Sequence, residues 1–119
     1  MKLLVIENLE SARERMADLL GRIPGVELGF ACGLQEARHL CERGLPDVVV
    51  LDVQYPDGSG LDFLKHAESS CPEVQLIFFS NQMFYKRRCL TGGATCFFDK
   101  SMELDSLVRV LTDMAKRGD

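Results

Sequence analysis

The chain has 119 residues, 46% of them hydrophobic and 27% charged, with a formal net charge of −4. That length and apolar content fit one packed domain, over residues 1–119, and exclude a disordered chain. The acidic balance argues against direct nucleic-acid binding, and no apolar run approaches the length of a membrane span.

The elements alternate from the start. Leu3–Ile6 is an apolar run, closed by Glu7 and Asn8. It is too short, and cut too soon by a carboxylate, to be the core of a secretory signal, so a cytoplasmic protein is expected. Leu9, Ala12, Met16, Leu19 and Leu20 recur at helical spacing. Pro24-Gly25 breaks the chain, and Val26–Cys32 reads as a second strand, with Gly29 inside it suiting a sheet edge. Leu34, Ala37, Leu40 and Cys41 form the second helical stripe.

Val48-Val49-Val50-Leu51 is the strongest strand, a β-branched run suited to burial on both faces. It ends on Asp52, followed by a turn rich in glycine with Pro56. An unpaired buried carboxylate is costly, so Asp52 belongs at the mouth of the sheet. There it reads equally as a nucleophile or metal ligand and as a helix N-cap, a task Asp57 or Ser59 also suits. A third helical stripe follows at Leu61, Leu64 and Ala67, then a strand at Leu76–Phe79 closed by Ser80 and Asn81. Gly92-Gly93 precedes a short strand at Cys96–Phe98, closed by Asp99 and Lys100. Leu104, Leu107, Val108, Leu111 and Met114 make the last helix, ending near Gly118. The five cysteines include no CxxC pair, which argues against a disulfide framework or zinc site. His39 and His66 stand alone.

Five βα units imply an α/β fold: a five-stranded parallel sheet with helices on both faces. The flavodoxin-like order 2-1-3-4-5 is the common solution. In that order Glu7, Asp52, Ser80 and Lys100 all lie at the carboxyl edge. Glu7 and Asp52 would repel unless a cation sat between them, and such oxygen ligands suit Mg²⁺. Lys100 offers a fixed positive charge to a phosphoryl oxygen, and Ser80 a rotatable hydroxyl. Singly, Ser80 is also a cap, Lys100 a surface lysine and Glu7 a strand-end charge. Together they make a phosphoryl-transfer site.

Val5-Ile6-Glu7-Asn8, Leu51-Asp52 with Pro56 and Gly60, Phe78-Phe79-Ser80, Gly93-Ala94 and Phe97-Phe98-Asp99-Lys100 together resemble the receiver domain of two-component response regulators, over the full length. The nearest type is the single-domain, chemotaxis-regulator-like receiver of bacteria. The resemblance implies phosphorylation of Asp52 by a histidine kinase or phosphotransfer protein, with Ser80 and Lys100 contacting the phosphoryl group. It implies Mg²⁺ at Glu7, Asn8, Asp52 and the backbone carbonyl of Gln54. It further implies that Phe97 switches with Ser80, and that an output face near Met83, Phe84 and Tyr85 docks a protein target. A helix opening on three consecutive apolar residues must expose at least one of them. Enzymatic activity beyond self-phosphorylation and autodephosphorylation, a membrane partner and an effector domain are not expected, and a monomer or weak dimer is.

Two departures stand out. Receivers usually carry a second acid where this chain has Asn8, so weaker Mg²⁺ binding is expected. They usually carry proline where it has Ser101, so a trans Lys100–Ser101 bond is expected. Asn8 keeps open a degenerate receiver that binds partners without phosphorylation. An aspartate-nucleophile phosphatase fits poorly, because Gln54 stands where it needs a second acid. In a flavin carrier, Glu7-Asn8-Leu9-Glu10 would repel the cofactor's phosphate.

Overall fold

A computed structural model describes residues 1–118. Five parallel strands make one sheet: β1 Lys2–Ile6, β2 Glu27–Ala31, β3 Val48–Leu51, β4 Gln75–Ser80 and β5 Cys96–Asp99. Their spatial order is β2-β1-β3-β4-β5, as the alternation predicts. The helices between them are α1 Glu10–Leu20, α2 Leu34–Arg43, α3 Gly60–Ser70, α4 Lys86–Thr91 and α5 Leu104–Arg117.

The period of two along each strand divides the interior into two cores. Leu4, Ile6, Val49, Leu51, Phe78 and Phe97 face α2, α3 and α4, meeting Ala37, Phe63, Leu64 and Cys89. Leu3, Val5, Val48, Val50, Ile77 and Phe79 face α1 and α5, meeting Met16, Leu20, Leu107 and Leu111. All four side chains of β3 are buried, each worth about 1.5–3 kcal/mol. This central strand therefore gives the carboxyl edge a firm base. β2 lies at the edge, in keeping with Gly29. No helix among the described residues is long and apolar enough to cross a membrane. All five cysteines are free.

Three local features differ from the sequence reading or refine it, and a fourth agrees with it. In the α1 stripe only Met16 and Leu20 are buried; Leu19 is exposed, and Leu9 is the exposed N-cap residue. Residues after Asp52 form a small antiparallel hairpin, Gln54–Tyr55 against Gly58–Ser59, rather than a plain turn. Met83–Tyr85 is a 3₁₀ turn before α4 rather than its first turn, because the Tyr85 amide reaches back three residues to the Gln82 carbonyl (3.1 Å). The Lys100–Ser101 bond is trans, as expected.

Candidate functional site

The site is assembled at the carboxyl edge by the ends of β1, β3, β4 and β5. Asp52 follows β3 directly, and its side chain keeps 25% exposure. The Val53 amide donates to Asp52 Oδ1 (2.6 Å), while Oδ2 lies 3.5 Å from Lys100 Nζ. Glu7 follows β1 and is 95% buried, at 5% exposure. A buried carboxylate must be paired. Lys100 Nζ meets its Oε1 at 3.0 Å, and the Leu9 amide donates to its Oε2 at 3.2 Å. One ammonium thus stands against both carboxylates. Lys100 is itself placed by its amide, which donates to the Ser80 carbonyl (3.1 Å) across β4 and β5.

Ser80 is fully buried, and its Oγ accepts from the Gln82 amide (3.0 Å). That bond uses a lone pair and leaves the hydroxyl proton free to donate. The Gln82 side-chain amide donates to Gln54 Oε1 (2.9 Å), joining the β4–α4 loop to the hairpin beside Asp52. Gln82 Oε1 is buried without a partner. Asn8 is exposed at the rim. Beside it opens a cleft of about 450 Å³, lined by Asn8, Gln54, Tyr55, Leu61 and Tyr85 among others.

Phe97 is 3% exposed and stacks on Phe78, ring centroids 6.0 Å apart. Its ring is therefore inward. Phe84 is 78% exposed, whereas Met83 and Tyr85 are half-buried against the core. The Arg88 guanidinium lies 5.5 Å over the Tyr85 ring. The sequence-derived residues thus fall into a tight edge group of Glu7, Asp52, Ser80 and Lys100, with Asn8 and Gln54 on its rim. Phe97 lies beneath it; Met83 and Phe84 stand apart on the next turn, whereas Tyr85 of that turn lines the cleft beside Asn8.

Chemically, the edge holds a partly exposed carboxylate beside an ammonium and a hydroxyl with a free proton. The sequence profile of the response regulator receiver domain family matches residues 3–112. The chain belongs to that family. The DNA-binding transcriptional activator DevR/DosR of Mycobacterium tuberculosis is 26% identical over 117 residues, 96% of this chain and 54% of that protein. This receiver therefore spans about half the length of that curated relative. Its fold matches the Francisella response regulator 1452 receiver domain with a TM-score of 0.87, at 22% identity, over 99% of this chain and 98% of that one. It also matches the response regulator TrrA of Thermotoga maritima, in complex with Mg²⁺ and BeF (TM-score 0.84, 23% identity, 95% and 97% covered).

The receiver carries one feature at this edge that the sequence reading did not single out, Tyr55, and one, Asp57, that it weighed only as a helix cap. Tyr55, 8% exposed, sends its phenol under Asp52, where it accepts from the Asp52 amide (2.5 Å) and donates to the Ile6 carbonyl (2.8 Å). Burial pushes its pKa well above the ordinary tyrosine value, so the proton stays on the oxygen. An aromatic residue in an otherwise polar turn was the available signal. Asp57 caps α2, taking the Leu34 and Gln35 amides at 3.2 and 3.1 Å. Those bonds, that of Gln35 foremost, hold its carboxyl below the usual range. Ser59 caps α3, accepting from the Leu61 amide at 3.1 Å. Asp52 itself caps neither helix.

Proposed function

We propose that Asp52 is the phosphoacceptor of this receiver, phosphorylated with Mg²⁺ by a histidine kinase or phosphotransfer protein, and that the change is passed to a downstream protein. The observation that carries the reading is the partly exposed Asp52 side chain at the sheet mouth, with Oδ2 3.5 Å from Lys100 Nζ. In the reaction, Oδ2 attacks phosphorus and the N–P bond of the phosphohistidine breaks. The imidazole nitrogen keeps the electron pair, and an acyl phosphate forms on Asp52. Lys100 then meets the phosphoryl oxygens as a point charge, and Ser80 donates its free proton to one of them.

The donors available to a metal are all oxygens: Glu7, Asp52, the Asn8 amide and the Gln54 carbonyl. That set fits Mg²⁺ in kind, with one charge fewer than a three-acid site. No group of three or more His, Cys, Asp or Glu side chains is gathered for a metal among the described residues. When bound, Mg²⁺ offsets the charge gathering on the transferring phosphoryl group. The Mg²⁺–BeF complex of the similarly folded TrrA supports the assignment.

The test is intact mass after incubation with acetyl phosphate and Mg²⁺. One added phosphoryl group is expected, and none on Asp52→Asn, which keeps the fold. Labelling of that variant at the wild-type rate contradicts the assignment.

A second reading, a phosphorylation-independent interaction module, is favoured by Asn8 and by the Gln54–Gln82 bridge beside Asp52. The acetyl phosphate incubation separates the two, and replacing Asn8 by Asp tests whether position 8 binds the metal. A metal-assisted acceptor should bind Mg²⁺ about tenfold more tightly once the missing charge is restored.

A further inference from the structure

We infer that Tyr55 is a positioning residue for phosphoryl transfer: its hydroxyl, lodged between β1 and β3, sets where the Glu7 and Asp52 carboxylates stand relative to one another. The inference deepens the reading of Asp52 as phosphoacceptor and rests on it.

The β1–β3 ladder ends at the Val5–Val50 pair. No further ladder pair joins the two strands, yet the residues that carry the chemistry, Glu7 and Asp52, lie beyond it. The Tyr55 hydroxyl spans this gap. It donates to the carbonyl of Ile6, the residue bonded to Glu7, and accepts from the amide of Asp52 itself. One side chain thus extends the tie between β1 and β3 past the last ladder pair. Both polar capacities are used, and the oxygen is held by ring burial among apolar neighbours.

The same anchor acts on a third group. Tyr55 is joined by its own peptide bond to Gln54, whose carbonyl is the expected backbone ligand for Mg²⁺. Fixing the ring fixes that peptide plane. The antiparallel pairing of Gln54–Tyr55 with Gly58–Ser59 holds it from the other side. Leucine, methionine or phenylalanine would fill much of the same volume. None would accept from the Asp52 amide or donate to Ile6.

Tyr55→Phe keeps the ring and removes the bridge. Its effect is read in Mg²⁺ titration and in the rate of phosphorylation by acetyl phosphate. Met114→Ala, a buried change in α5, serves as a control for lost stability alone. Tyr55→Phe should lower the maximal rate about fivefold and weaken Mg²⁺ binding about threefold, with KM for acetyl phosphate unchanged, the scale of one hydrogen bond. Met114→Ala should leave both at wild-type values. A rate and a Mg²⁺ affinity for Tyr55→Phe within about twofold of wild type overturn the inference. In the unaltered protein, hydrogen exchange gives a second reading that does not depend on the variant folding. The Asp52 amide should be protected, and exchange as fast as at the exposed loop amides overturns the bridge. A wild-type chain that takes up no phosphoryl group overturns the phosphoacceptor reading itself, and this inference with it.

Discussion

The two turns that flank the site are built in opposite ways. After β3, the chain from Asp52 to Gly60 is tied on every side. Tyr55 bonds to β1, and the Gly60 amide closes onto the Val53 carbonyl at 2.7 Å. Ser59 caps α3, and Asp57 reaches across to cap α2. After β4, residues 81–85 have mostly local bonds. The Gln82 amide meets Ser80, the Tyr85 amide meets Gln82, and side-chain contacts go to Gln54 and Ser101. They lead into a helix of only six residues with no side-chain cap. A helix that short has little stability of its own. The contrast divides the edge: the turn that carries Asp52 is held on several sides, and the loop that follows Ser80 is restrained mainly by its own neighbours.

The firmness of the first turn is broken most sharply at Gly60. A Cβ there would overlap the Asp52 carbonyl oxygen and press on the Phe78 ring. Gly60→Ala should cost about 3 kcal/mol, read as a lower urea midpoint, because overlap with backbone cannot be relieved by a rotamer change. An unchanged midpoint would show that the turn gives way easily.

The Gln54–Gln82 bond is the direct link between the two turns. On the proposed reading, this bridge is expected to screen phosphorylated Asp52 from attacking water. Replacing both glutamines by alanine should shorten the lifetime of phosphorylated Asp52 about fivefold, the scale of one neutral hydrogen bond. Equal decay rates would remove the bridge from the account.

A smaller effect is expected at the hairpin tip. Asp57→Ala removes an exposed N-cap from α2 and should cost about 0.5–1 kcal/mol at neutral pH. The Asp57 carboxyl is held below its ordinary value by the Gln35 and Leu34 amides. Its contribution is therefore complete above the unfolded value of about 3.9 and is lost as pH falls through the lower folded value. Thermal midpoints of wild type and variant should converge in acid, and a gap that persists at low pH would point to packing instead of charge.

The parts legible in the sequence were those with strong patterns. Val48–Leu51 read as a buried parallel strand, and the flavodoxin-like order of units then placed Glu7, Asp52, Ser80 and Lys100 at one edge. Leu9 and Leu19 fit the apolar spacing of α1 yet stay exposed, since periodicity marks a face without saying how wide the covered stripe is. Met83–Tyr85 looked like a helix start, but whether a turn closes on the third or fourth residue is not written in its apolar residues. Tyr55 left only the hint of an aromatic in a polar turn, because its role depends on the Ile6 carbonyl, 49 residues away in the chain. Asp57 was weighed as a cap for the wrong helix for the same reason: sequence proximity favoured α3, and the fold delivers the carboxylate to α2.

The most direct test of this division is amide NMR with and without beryllofluoride and Mg²⁺. A new group on Asp52 should draw the Ser80 proton inward and move the loop at Asn81 and Gln82, with Phe97 answering below and Met83, Phe84 and Tyr85 beyond. The bias available is on the order of 1–3 kcal/mol. Large shifts are expected across residues 81–98, with Tyr55 and Gly60 changing little. Shifts confined to Glu7, Asn8 and Asp52, with none across 81–98, would contradict the account.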